Sequence, residues 1–132
     1  MNRDKERAVF GGGVAVITGA ASGIGEGLAR HAAALGMKVV LADVAVERME
    51  AVAADIRAAG GEAMAVPTDV TDPAAIDRLA ETTHSTWGDV RLLMNNAGVE
   101  TLGFVWEMPA ALWDRTLAIN INAVVHGVRA FA

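Results

Sequence analysis

The chain has 132 residues, 53% of them hydrophobic, and a formal net charge of −5 at neutral pH. That length suits one domain burying roughly two-thirds of its unfolded surface, and charges spread along the whole chain leave no basic stripe for a nucleic acid partner. Cysteine is absent, which excludes disulfides and thiolate metal sites and suits a reducing compartment.

Residues 1–13 read as a polar tail without chemistry. Arg3, Lys5 and Arg7 precede a mostly apolar stretch from Ala8 to Ala21, a superficial likeness to a secretory signal. Asp4 and Glu6 interrupt the basic part, however, and Gly11, Gly12 and Gly13 would weaken an apolar helix. The stretch is better explained as a glycine-led buried strand, Val14 to Ile17. No uninterrupted apolar run approaches the ~20 residues of a membrane span, so a soluble cytoplasmic protein with no membrane partner is expected.

After that strand comes a glycine-rich turn, and from Ile24 a helix whose Ile24, Leu28, Ala32 and Leu35 recur at helical spacing until Gly36 caps it. A short buried strand, Val39 to Leu41, stops at Asp43. A second helix runs from about Val46 to Ala59 and ends in Gly60 and Gly61. The third strand lies in AMAVPTDV and ends near Asp69. In the helix that follows, Thr71 or Asp72 supplies the N-cap, Pro73 occupies the first turn, and Gly88 closes the end. The fourth strand carries Leu92, Leu93 and Met94 into a polar end at Asn95 and Asn96. A loop, VETLGFVWEMP, then leads to a long apolar helical segment reaching Ala132.

Strands that are apolar throughout and alternate with helices predict a parallel sheet covered on both faces. Right-handed crossovers make it a doubly wound α/β fold with strand order 3-2-1-4. Thr18, Asp43, Asp69 and Asn95 then all fall at the C-terminal ends of strands, the edge where such sheets bind ligands. Gly19, Gly23 and Gly25 let a bound group approach the backbone, and the new helix aims its unpaired N–H groups and positive dipole end at the same place. A phosphate is the expected occupant.

Neither G-x-G-x-x-G nor a P-loop occurs. The pattern present is T-G-x-x-x-G-x-G: Thr18, Gly19, Ser22, Gly23, Ile24 and Gly25 within TGAASGIG. Asp43 lies eighteen residues beyond Gly25, near the ~20-residue spacing at which a carboxylate reaches ribose hydroxyls; a helix N-cap is the competing role. His31, His84 and His126 fall on separate predicted helices, so no metal site is expected.

With the glycine pattern, Asp69-Val70, Asn95-Asn96-Ala97-Gly98 and Asn120 within LAIN, the sequence resembles the short-chain dehydrogenase/reductase family. The resemblance implies a Rossmann-type domain with Asp69 and Val70 on the adenine, Asn95, Ala97 and Gly98 beside the ribose, and Asn120 as the Asn of the catalytic tetrad. Asp43 and the absence of Lys or Arg in the glycine loop or at Val44 favour NAD over NADP. Taken singly, Asp69 suits a turn, Asn95 to Gly98 are ordinary turn residues, and Asn120 suits a structural polar network. Ala123 stands where the family usually has glycine. The family's Ser and Tyr-x-x-x-Lys have no counterpart, and the chain contains no tyrosine. The expectation is the truncated, cofactor-binding half of an oxidoreductase acting on an alcohol or carbonyl, inactive alone and homo-oligomeric through its C-terminal helix. The alternative is a non-catalytic nucleotide-binding module stable only in an assembly.

Overall fold

The computed structural model describes residues 2–132. Its elements are α1 (Arg3–Phe10), β1 (Val14–Thr18), α2 (Gly23–Ala34), β2 (Lys38–Asp43), α3 (Val46–Ala58), β3 (Glu62–Pro67), α4 (Pro73–Trp87), β4 (Val90–Met94), α5 (Ala110–Leu117) and α6 (Ala123–Phe131), the last two joined by a π-helical turn, Ala118–Asn122. The four strands are parallel in the order β3-β2-β1-β4, as expected.

Alternate residues of the two central strands feed two cores. Ala15, Ile17, Val39 and Leu41 pack with Met49, Val52 and Ile56 of α3 and with α2. Val14, Val16, Val40 and Ala42 pack with Leu79 of α4, against which Phe131 of α6 also leans. Every residue of β1 is buried, which is why its sequence shows no polar alternation. β4 is one of the two sheet edges, with β3 the other, and Leu92, Leu93 and Met94 are only half-buried. Along the ligand edge the register pairs Thr18 with Ala42, Asp43 with Pro67 and Ile17 with Met94. The four strands therefore deliver their next residues to one line.

Residues 3–10, expected as a tail, form a helix instead. The Asn2 side chain caps it by accepting from the Lys5 N–H at 3.1 Å, Asp4 and Glu6 sit in its first turn, and Arg7 near its end donates to the Ala34 carbonyl at 3.3 Å. None of its residues is fully buried, so the apolar periodicity that announces the other helices is missing. α2 ends a residue earlier than its last apolar position: Gly36, at φ 86°, donates to Ala33 while Met37 donates to Ala32, the paired bonds of a glycine-closed helix end. Asp72, rather than Thr71, caps α4 by accepting from Ala74 at 3.0 Å. β3 stops at Pro67, short of Asp69, and Thr68 turns its hydroxyl back to the Val66 carbonyl at 2.9 Å.

Candidate functional site

Leaving β1, the chain turns at Gly19, whose φ of 66° is open to glycine at little cost, and again at Gly23, φ 56°. Ser22, the N-cap of α2, makes no capping bond with its side chain, and Ile24 is 77% exposed at the mouth of the turn. A Cβ on Gly23 would meet nothing within 4 Å, so its conformation is what calls for glycine. Gly25 differs: a Cβ there would overlap the Gly19 carbonyl oxygen and stand 2.6 Å from Asn96 Nδ2. Gly25 is thus the point where α2 lies directly against the loop, while Ser22, Gly23 and Ile24 form the rim.

The loop is clamped to the end of β4. Thr18 Oγ1 accepts from the Asn96 and Ala97 N–H groups, both at 3.1 Å, and Asn96 Nδ2 donates to the Thr18 and Gly19 carbonyls at 3.1 and 3.3 Å. Thr18 is buried and faces the protein, so it holds the loop from below. Asn95 packs sideways: a Cβ on Gly127 of α6 would collide with its amide oxygen, so that glycine lets the helix close over it.

Asp43 is not the N-cap of α3, a position held by Ala45. Its Oδ2 accepts from the Ala21 N–H at 3.0 Å and its Oδ1 from the Ala45 N–H at 2.9 Å, tying the glycine loop to the β2–α3 turn. A carboxylate has about four acceptor positions, so two of these remain available to hydroxyl donors. Asp69 Oδ1 accepts from both the hydroxyl (2.7 Å) and the N–H (2.9 Å) of Thr71. Those bonds, with a smaller contribution from the Arg115 cation, hold its carboxyl below the usual range.

These groups border one open cleft of about 480 Å³ at the C-terminal edge of the sheet. Of the predicted site residues, Gly19, Asp43, Asp69, Val70, Ala97 and Gly98 line it. Thr18, Gly25 and Asn95 support it from behind. Asn120 stands outside, where its Oδ1 accepts from the Val99 N–H at 2.9 Å and its Nδ2 donates to the Val99 carbonyl at 2.8 Å. It therefore fastens the loop after β4 to the helix. The π-helical turn around it, in which the Ala123 N–H reaches back five residues to Ala118, is a geometry frequent at functional sites.

Two contributors, Asn96 and Arg115, were not singled out from sequence. Asn96 is the loop clamp; its place beside Asn95 in NNAG was visible, but not which of the two amides would face the loop. Val44 and Arg115 both line the cleft, and Arg115 arrives from α5, far along the chain. Among the described residues no cluster of His, Asp and Glu could hold a metal, and no helix is long and apolar enough to cross a membrane.

A dinucleotide fits these residues on structural grounds. An anion would meet open N–H donors and a free Ser22 hydroxyl at the rim, a ribose would meet the two unused acceptor positions of Asp43, and the cleft lined by Asp69 and Val70 has the volume to take a flat ring.

A family model described as short chain dehydrogenase matches residues 13–132. Among solved structures, a short chain dehydrogenase/reductase from Burkholderia phymatum in complex with NAD is 46% identical, with a TM-score of 0.91 over 93% of this chain and 44% of that one. A metagenomic short-chain oxidoreductase in complex with NADP is 40% identical, with a TM-score of 0.89 over 93% and 56%. The 1-deoxy-11-beta-hydroxypentalenate dehydrogenase of Streptomyces arenae is 44% identical over 89% of this chain and 42% of its own length. A probable oxidoreductase, EphD, of Mycobacterium tuberculosis is 37% identical over 96% of this chain and 22% of its own. The chain thus spans roughly half, or less, of the proteins it matches.

Proposed function

Because this chain belongs to the short-chain dehydrogenase family, we propose that it is the cofactor-binding half of an oxidoreductase that moves hydride between NAD and an alcohol or carbonyl substrate. The observation that supports the reading best is the convergence of Gly19, Asp43, Asp69, Val70, Ala97 and Gly98 on a single cleft, next to a helix N-terminus with unused donors. Thr18, Gly19, Ser22, Gly23, Ile24 and Gly25 build the phosphate loop, Asp43 takes the ribose hydroxyls, Asp69 and Val70 take the adenine, and Asn95, Ala97 and Gly98 shape the wall beside the second ribose. The bound nicotinamide would donate or accept the hydride.

NAD is favoured over NADP in this reading because the Asp43 carboxylate would repel a 2′-phosphate, and the adjacent position is Val44 rather than a cation. Arg115, which lines the same cleft, acts on the Asp69 side of it. Asn120 takes the role of the tetrad Asn, with the π-helical turn providing the local irregularity. These 132 residues contain no tyrosine. The proton exchange that accompanies hydride transfer, a step contributing ~10²- to 10⁴-fold, is then left to groups outside them, and negligible dehydrogenase activity is expected of the chain alone.

The C-terminal helix is read as a surface for a second copy. Ile121, Val124, Val125 and Val128 are exposed at the spacing of one helical face, opposite the buried Ile119, Ala123 and Gly127. A monomeric mass in light scattering would remove this part of the proposal. The cofactor assignment is tested by titrating NADH and NADPH against the chain and its Asp43→Ala variant. NADH should bind more tightly than NADPH and lose affinity in the variant. Equal NADH affinities, or tighter NADPH binding by the wild type, would overturn the assignment.

A further inference from the structure

Arg115 is the charged group in the cleft that the proposed function leaves unused. It lies on α5, four residues before Ile119, so the two share a helical face and both line the cleft. The same cleft is lined by Asp69 and Val70 after β3 and by the two-thirds exposed Val44 after β2. Among the described residues, no carboxylate pairs with the Arg115 guanidinium; the ion pairs of the chain involve Arg30, Arg57 and Arg78. Asp69, the carboxylate it influences, already has one oxygen bonded twice by Thr71 and keeps the other free.

A cation left without a partner at the wall of a cleft suits either a phosphate or a flat π-system. Charge decides between them. Asp43 and Asp69 line the same cleft, so a phosphate beside Arg115 would meet two negative groups against one positive. A planar base meets no such opposition: its amine edge can donate to the free Asp69 oxygen, its one face can rest on Val44, and its other face is left for a planar cation. Guanidinium is weakly hydrated and stacks on bases in a way an ammonium does not.

We infer that Arg115 is the lid of the base subsite, stacking its guanidinium plane on the adenine and closing the cleft from the α5 side. The inference rests on the dinucleotide reading above and adds a binding residue to it. It also gives the loop after β4 a further role, because Asn120 fixes Val99 to the same helix and so sets the distance between Arg115 and the Gly98 wall.

The test uses the 132-residue chain with AMP, NADH and ribose 5-phosphate as probes, each titrated against the wild type, Arg115→Ala and Arg115→Lys. Arg115→Ala should weaken AMP and NADH roughly five- to thirtyfold, the range of a partly desolvated cation over a π-face. Arg115→Lys should recover only a small part of this, and ribose 5-phosphate should bind all three proteins alike. The melting temperature should barely move, since among the described residues the side chain makes no ion pair or hydrogen bond and acts on Asp69 only through its charge. Equal AMP affinity in wild type and Arg115→Ala would overturn the lid. So would an equal loss for ribose 5-phosphate, which would make Arg115 a phosphate contact. A wild-type chain that binds neither AMP nor NADH would instead overturn the dinucleotide reading beneath it.

Discussion

Gly25 and Gly27 stand two residues apart on α2, and the structure predicts opposite outcomes when each becomes alanine. At Gly27 a Cβ would meet nothing within 4 Å, so the substitution should stabilise by about 1 kcal/mol through helix propensity alone. At Gly25 the same gain is available, but the methyl would overlap the Gly19 carbonyl oxygen and lie 2.7 Å from the carbonyl carbon, both backbone atoms that no rotamer change can move. Overpacking of this kind costs about 1–3 kcal/mol, and the upper end applies where the neighbour is backbone. Asn96 Nδ2, 2.6 Å from the new methyl, would also be pushed off its carbonyl acceptors, at about 1 kcal/mol for each bond. Subtracting the propensity gain leaves a net loss of about 4 kcal/mol, or a fall in melting temperature of roughly 15 °C for a domain this size. Urea and thermal unfolding followed by circular dichroism measure both variants directly. A Gly25→Ala protein as stable as Gly27→Ala would refute the close approach of α2 to the loop.

Thr18→Val keeps the shape of the side chain and removes one oxygen. Asn96 keeps the Met94 carbonyl as acceptor at 2.9 Å, so the Ala97 N–H is the donor left stranded, and a loss of about 1–3 kcal/mol is expected in chemical denaturation. Unchanged stability would contradict the clamp. Asp69 carries a pH prediction. Its folded-state pKa lies below the ordinary value of 3.8, so its contribution to stability is complete above that value and is lost as pH falls through the lower, folded one. A carboxyl NMR titration should therefore place its midpoint below 3.8, and a midpoint at or above it would show that the Thr71 bonds are not formed.

Much of this arrangement is legible in the sequence because the physics is local. Val14 to Ile17 and Val39 to Leu41 are apolar without alternation since both sheet faces are covered; Asp72 before Pro73 and Gly36 after Leu35 mark helix ends through their own backbone chemistry. The parts that stay hidden depend on surroundings. α1 buries no residue completely, so no periodicity betrays it, and its cap at Asn2 resembles any polar tail. For Asp43 the sequence favours a ribose ligand with a helix cap as the competing role, and the structure makes it a brace between two turns. Asn96 and Arg115 owe their places to the crossing of distant segments: NNAG puts Asn96 at the strand end without saying that its amide turns to the glycine loop, and nothing around Arg115 points to its place near Asp69.

Amide NMR of the labelled chain, recorded as NADH is added, tests the central claim most directly. The account predicts shifts concentrated at Gly19, Ser22, Gly23, Val44, Val70 and Gly98, with residues on the opposite edge of the sheet, such as Gly12 and Lys38, unmoved. Shifts confined to that opposite edge, or none at saturating NADH, would contradict it.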